Sequence, residues 1–225
     1  MAPKLYGDIR SPCVRAVLLT AKALNISLEY IPIDVVKKEH LTKEYLKINP
    51  CHTVPALIDN GFTLWDSHAI MIYLAETYGN NNPIYPKDIK KQAIINQMLH
   101  FENGKIFSIH VYIADLLLHR GIKKIPEEAA TRQIQGYEFV ETFLTNSKFI
   151  AGHELTIADF SAWTSLSDSN LLVPIEKNKY PNIIKWVETL EQLAYGDINK
   201  KGVMELAKLF NTIQLQKESD HNLRV

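Results

Sequence analysis

The chain has 225 residues, 46% of them apolar, and its 25 Lys plus Arg balance 25 Asp plus Glu. That length suits one large domain or two small ones with a packed core, and the even charge offers no basic face for nucleic acid or an anionic membrane. Two cysteines, Cys13 and Cys51, are too few for a disulfide framework, and no segment approaches the ~20 apolar residues that span a bilayer.

Lys4 to Gly7 reads as a short strand, with Tyr6 a strand residue. Ser11-Pro12 then opens a helix, because Ser is a favoured N-cap and Pro is favoured at the first helical position. Val14, Val17, Leu18, Ala21 and Leu24 give it one apolar face, and Asn25 closes it. Leu28 to Ile33 predicts a second strand, parallel to the first because a helix connects them. A short helix is predicted over 41–48 and stops at Asn49-Pro50. Val54 to Asp59, Asn60-Gly61 and Phe62 to Trp65 form a hairpin signature, since Asn-Gly suits a type I′ turn. Asp66-Ser67 caps a third helix that ends at Gly79.

Residues 80–88 read as a linker, and beyond them the strand signals stop. Helical patterns run over 89–119, 127–144, 157–172, 181–193 and 203–210. Thr156-Ile157-Ala158-Asp159 matches a capping box with Asp in place of the usual Glu. The expected organisation is an α/β domain over 1–79, a linker over 80–88 and an all-helical domain over 89–225. The polar tail after about residue 214 is expected to be flexible. The first residues, Met1 to Tyr6, lack the apolar stretch of a secretory leader, so a cytoplasmic protein is expected.

Three loops of the first domain carry chemistry, and ligands of open α/β sheets bind where such loops converge. A hydroxyl at Ser11 sits at a helix N-terminus, where it can donate to an anion that the helix dipole also favours. In Cys51-His52-Thr53-Val54-Pro55, His52 can meet a carboxylate and the Val54 backbone can pair with an extended peptide. Asp66 and Ser67 suit the amino-acid end of a zwitterion. Taken singly, each has a plain structural explanation: an N-cap, a loop histidine, a double cap.

Together, in this order, they resemble the cytosolic glutathione transferases, especially the insect delta and epsilon classes. The matching runs are Ser11-Pro12 with Val14-Arg15-Ala16-Val17, Glu39-His40-Leu41-Thr42, Asn49-Pro50 and His52-Thr53-Val54-Pro55. Trp65-Asp66-Ser67-His68-Ala69-Ile70, Leu99-His100-Phe101-Glu102, Leu155-Thr156-Ile157-Ala158-Asp159-Phe160 and Lys179-Tyr180-Pro181 continue them. His68 and the run from Glu39 to Thr42 favour epsilon over delta. The resemblance implies a thioredoxin-like first domain, a helical second domain and a homodimer. It implies a detoxifying transferase that conjugates glutathione to hydrophobic electrophiles. Peroxidase and dehydrochlorination are side activities compatible with the class.

The resemblance assigns the thiolate to Ser11. It places His40 and His52 near the glycine carboxylate, Val54 on the cysteinyl unit, and Asp66 and Ser67 on the γ-glutamyl end. His68 lies in the same loop, Pro55 is expected to be cis, and no metal is implied. Pro12, Val35, Phe107, Val111, Asp115 and His119 would line the electrophile site. The last four recur every fourth residue, so packing within the helical domain explains them equally well. Two positions depart from the family: Cys13 stands where Pro or Ala is usual, and Cys51 where Gln is usual. Many relatives carry Arg about where Val111 stands, which leaves the polarity of the second site open. Two other readings keep part of this picture: a non-catalytic binding protein or scaffold of the same fold, and a thiol-disulfide enzyme using Cys13. The absence of a C-x-x-C motif weighs against the latter.

Overall fold

The computed structural model describes residues 2–222, with side-chain surroundings for 2–213. Four short strands, β1 (Lys4–Gly7), β2 (Glu29–Pro32), β3 (Ala56–Asp59) and β4 (Phe62–Trp65), form one mixed sheet in the order β2-β1-β3-β4. β1 and β2 are parallel, as their helical connection requires, while β1–β3 and β3–β4 are antiparallel. Asn60 and Gly61 both take positive φ, 48° and 87°, the geometry that an Asn-Gly hairpin turn provides. The hairpin is shorter than its sequence signature: the ladder begins at Ala56, leaving Val54 outside it.

Helix α1 (Pro12–Ala23) buries Val14, Ala16, Val17 and Leu19, and it packs on α3 (Ser67–Tyr78). A 3₁₀ turn (Glu39–Leu41) and α2 (Lys43–Ile48), capped by the Thr42 side chain, carry the chain toward β3. This is the thioredoxin-like arrangement. The described remainder is helical: α4 (Ile89–Glu102), α5 (Ser108–Leu118), α6 (Glu127–Leu144), α7 (Ile157–Leu172), α8 (Pro181–Glu191) and α9 (Asp197–Asn222). α7 lies at the centre, with Phe160, Trp163 and Leu166 buried, and it meets both α1 and α4. The capping box at its start is present, with Thr156 and Asp159 bonded reciprocally.

Two helices differ most from the sequence pattern. The stretch 89–119 is not one helix: a π-helical turn, Asn103–Phe107, separates α4 from α5. Its extra residue rotates α5 relative to α4 by about a quarter turn. Ile106 then points into the core, and the carbonyl of Lys105 lies against Gly136 of α6, closer than any side chain there would allow. The last helix runs over Asp197–Asn222 rather than 203–210, and Gly202 within it is a contact point. A Cβ at Gly202 would stand 2.2 Å from Arg15 Cδ and 2.4 Å from the Ile9 carbonyl oxygen. The expected flexibility after residue 214 falls on side chains outside the described residues. No helix among the described residues is long and apolar enough to cross a membrane.

Candidate functional site

Ser11 is the N-cap of α1, yet its hydroxyl makes no capping hydrogen bond. The backbone fixes it instead: Ser11 N–H donates to the Asp8 carbonyl at 2.9 Å, and Arg15 N–H donates to the Ser11 carbonyl at 3.2 Å. The residues before it are held from below by Arg15, whose Nη1 donates to the carbonyls of Ile9 at 3.1 Å and Arg10 at 2.8 Å. Arg15 is fully buried and also donates to Asn199 Oδ1 of α9 at 2.9 Å and to Asp168 Oδ1 of α7.

The loop before β3 is stapled from within. Asn49 is buried and donates to the Thr53 carbonyl at 2.8 Å, while its own oxygen accepts from Cys51 N–H at 2.9 Å. Tyr45 Oη donates to the same Thr53 carbonyl at 2.6 Å. His52 is exposed at φ 48°, its ring 6.4 Å from that of His40. His40 Nδ1 is buried without a partner. Burial and the neighbouring His52 lower the His40 pKa below the usual histidine range, so its ring is neutral at pH 7. The Val54–Pro55 bond is cis.

Asp66, at φ 78°, caps α3 by accepting from Ala69 N–H at 3.0 Å, and Ser67 comes next, buried. His68 does not join this loop group. Its Nε2 lies 2.8 Å from Ser161 Oγ of α7 and 3.0 Å from Glu102 Oε2 of α4, across the boundary between the two halves. The reason is helical geometry: one residue past Ser67, the side chain is rotated by about 100° toward α4 and α7. Cys13 points inward near Ser67. Burial and Glu102 push its thiol up to about 12, so it holds its proton at neutral pH. Both cysteines are free, and the half-buried Cys13, which keeps its proton, does not suit a thiol-disulfide centre.

Beside Ser11 opens a cavity of about 400 Å³. Ser11, Pro12, Val35, Val54, Phe107, Val111, Asp115 and His119 all line it, so the residues at four-residue spacing share one wall. Sequence reasoning missed Leu206, Leu209 and Phe210 of α9 in the same lining, although their i, i+3, i+4 spacing was readable. It also missed His110 and Asp168, which line the cavity while nearly or fully buried.

Burial and the charge of Arg15 push His110 down to about 4, from the usual value near 6.5. The unfolded chain takes up this proton as pH falls through 6.5, and the folded chain only near 4. Stability is therefore intact above about 6.5 and lost on acidification through that window. His110→Leu should remove this component. Between about pH 7 and 4.5 the variant should lose about 2 kcal/mol less than the parent in urea unfolding. Parallel losses would show that His110 titrates normally.

A layered sheet with a helical half, and a cavity at their junction flanked by a free helix-terminal hydroxyl, define a two-domain transferase architecture. The chain belongs to the glutathione S-transferase family. The family model for the glutathione S-transferase N-terminal domain matches residues 1–76, and that for the C-terminal domain matches 109–194. Glutathione S-transferase 1 of Manduca sexta is 40% identical over 203 residues, 89% of this chain and 92% of that protein. An epsilon-class glutathione S-transferase from the housefly, Musca domestica, has a structure similar at a TM-score of 0.91 and 41% identity, covering 94% of this chain and 98% of that one. A glutathione transferase homologue from Drosophila mojavensis, solved with bound glutathione, is similar at a TM-score of 0.91 and 39% identity, covering 94% and 97%.

Proposed function

We propose that this chain binds glutathione along the Ser11, Val54 and Ser67 loops, ionises its thiol, and transfers it to a hydrophobic electrophile in the adjoining cavity. The observation that carries this reading is the Ser11 hydroxyl, left unused by its helix on a residue that lines a largely apolar cavity. Lowering a thiol from about 8.5 by two units takes about 2.7 kcal/mol, the order of one charge-assisted hydrogen bond plus a helix terminus. Holding both reactants side by side replaces a bimolecular encounter. Val54, outside the ladder, has its backbone free to pair with the cysteinyl unit, Pro55 shapes that loop, and Asp66 and Ser67 take the γ-glutamyl end. His68 supports the junction of the two halves rather than the tripeptide. Pro12, Val35, Phe107, Val111, Asp115 and His119 face the electrophile. Retention on glutathione-agarose together with turnover of 1-chloro-2,4-dinitrobenzene tests the whole reading. Binding without turnover would favour the non-catalytic alternative.

His40 and His52 hold the glycine carboxylate in this reading. The unpartnered, neutral His40 ring offers one N–H donor, and such a bond contributes about 1 kcal/mol. His40→Ala and His52→Ala should each raise KM for glutathione about fivefold, with kcat at saturating glutathione within about twofold. Unchanged glutathione affinity in both variants would remove the two histidines from the site.

The same reading includes a cytoplasmic homodimer. Exposed Phe62 and Trp65 on the edge strand β4, with Ile94 on α4, suit an isologous apolar interface.

A further inference from the structure

The electrophile cavity is not uniformly apolar. Its lining includes Val36 and Val111, about half exposed, whereas His110 and Asp168, at 5% and 0% exposure, form its buried floor. The other charged groups around it are satisfied by one another: Arg10 by Asp8 and Asp34, and Asp115 by Arg120. His110 Nδ1 and Asp168 Oδ2 are different, because both are buried and neither has a hydrogen-bond partner. Arg15 occupies only the other oxygen of Asp168. Two unsatisfied polar atoms on residues that line one cavity are costly to a fold unless something completes them.

We propose that this floor is a recognition site for a hydroxyl group on an otherwise apolar ligand, bound with His110 Nδ1 and Asp168 Oδ2. This rests on the cavity being the electrophile site. A hydroxyl is the complementary group because it both donates and accepts. It donates to the free carboxylate oxygen of Asp168 and accepts from the imidazole of His110, which is neutral at pH 7. A carbonyl or ether can only accept, so it places its lone pairs against Asp168 Oδ2. Discrimination of this kind is strong where buried polar groups would otherwise be left unpaired. The ligand class is thus a compact hydrophobic alcohol or phenol, hydroxyl innermost, its apolar body against Phe107, Val111 and Leu209.

The test is direct binding of a matched pair, 2-naphthol and 2-methoxynaphthalene, measured by fluorescence titration of the full chain. The wild-type protein should bind 2-naphthol at least about tenfold more tightly. His110→Leu should bring the two probes within about twofold, and Asp168→Asn, which offers an N–H in place of the free oxygen, should remove or reverse the preference. Circular dichroism melts establish that each variant is folded. If Asp168→Asn does not fold, His110→Leu alone decides. Equal binding of the two probes by the wild type, or an undiminished preference in folded His110→Leu, overturns the proposal. Turnover of 1-chloro-2,4-dinitrobenzene with glutathione is read in parallel. Its loss would strike the transferase reading, whereas the probe preference stands or falls on titration alone.

Discussion

Ser11→Ala should reduce turnover near neutral pH by about ten- to a hundredfold, the rate equivalent of one hydrogen bond to a charged sulfur. The hydroxyl acts as a donor and never as a nucleophile, so the variant should still bind glutathione. What changes is the ionisation of the bound thiol, whose apparent pKa should climb back toward about 8.5. The deficit should therefore shrink to a few-fold by about pH 9, where the thiol ionises without help. Cys13→Ala is the matched control two residues along the same helix. Its thiol is half-buried and held protonated, so most conjugating activity should survive. A pH-rate profile of both variants with one conjugation substrate reads all of this. Wild-type turnover and an unshifted profile in Ser11→Ala would end the serine mechanism.

Asp159→Ala should destabilise the fold by about 4 kcal/mol, lowering the melting midpoint by roughly 10 °C. The carboxylate is fully buried and accepts four hydrogen bonds. They come from Ile150 N–H at 3.0 Å, Thr156 N–H at 2.9 Å, Thr156 Oγ1 at 3.0 Å and the Trp186 indole N–H at 3.0 Å. Burial pushes the carboxyl up to about 6, and the four donors keep it ionised at neutral pH. Alanine leaves two backbone N–H groups and an indole buried without acceptors, each a cost of about 1–3 kcal/mol before relaxation. Asp159→Asn keeps one acceptor oxygen but turns an amide toward donors, so it should fall between parent and Ala. Because the residue lies outside the cavity, the loss should appear in denaturant midpoints while KM for glutathione stays constant. A melting midpoint unchanged in Asp159→Ala would show that the network contributes nothing net.

The sheet, its hairpin and the capping box were legible because each rests on local chemistry: an Asn-Gly pair, a Ser-Pro start, a Thr with an Asp three residues on. The loop residues at Ser11, His52 and Asp66 were legible mainly through their shared order, since each alone passes for a cap or a loop residue. What the sequence concealed depends on distant packing. Arg15 enters the sequence only as part of the run after Ser11-Pro12, and nothing local reveals that Asn199 and Asp168 await it. Gly202 carries no local signal, and only the position of Arg15 explains it as a contact. The π-helical turn left the apolar pattern almost intact, so its register shift stayed hidden. By sequence His68 groups with its neighbours in the chain, although one helical step turns it toward Glu102 and Ser161.

The buried guanidinium also bears on how such proteins can be recombined. Arg15 belongs to the first half of the chain, while the groups that satisfy its far side, Thr164, Asp168 and Asn199, belong to the second, as does the bare backbone of Gly202 that makes room for it. A chimaera joined between α3 and α4 would inherit the socket from one parent and the key from the other. Mismatched halves would disturb the carbonyls of Ile9 and Arg10, and through them the seat of Ser11, without any change at the active surface. The natural unit of exchange in this architecture is therefore a set of five residues scattered along the chain, and not a domain.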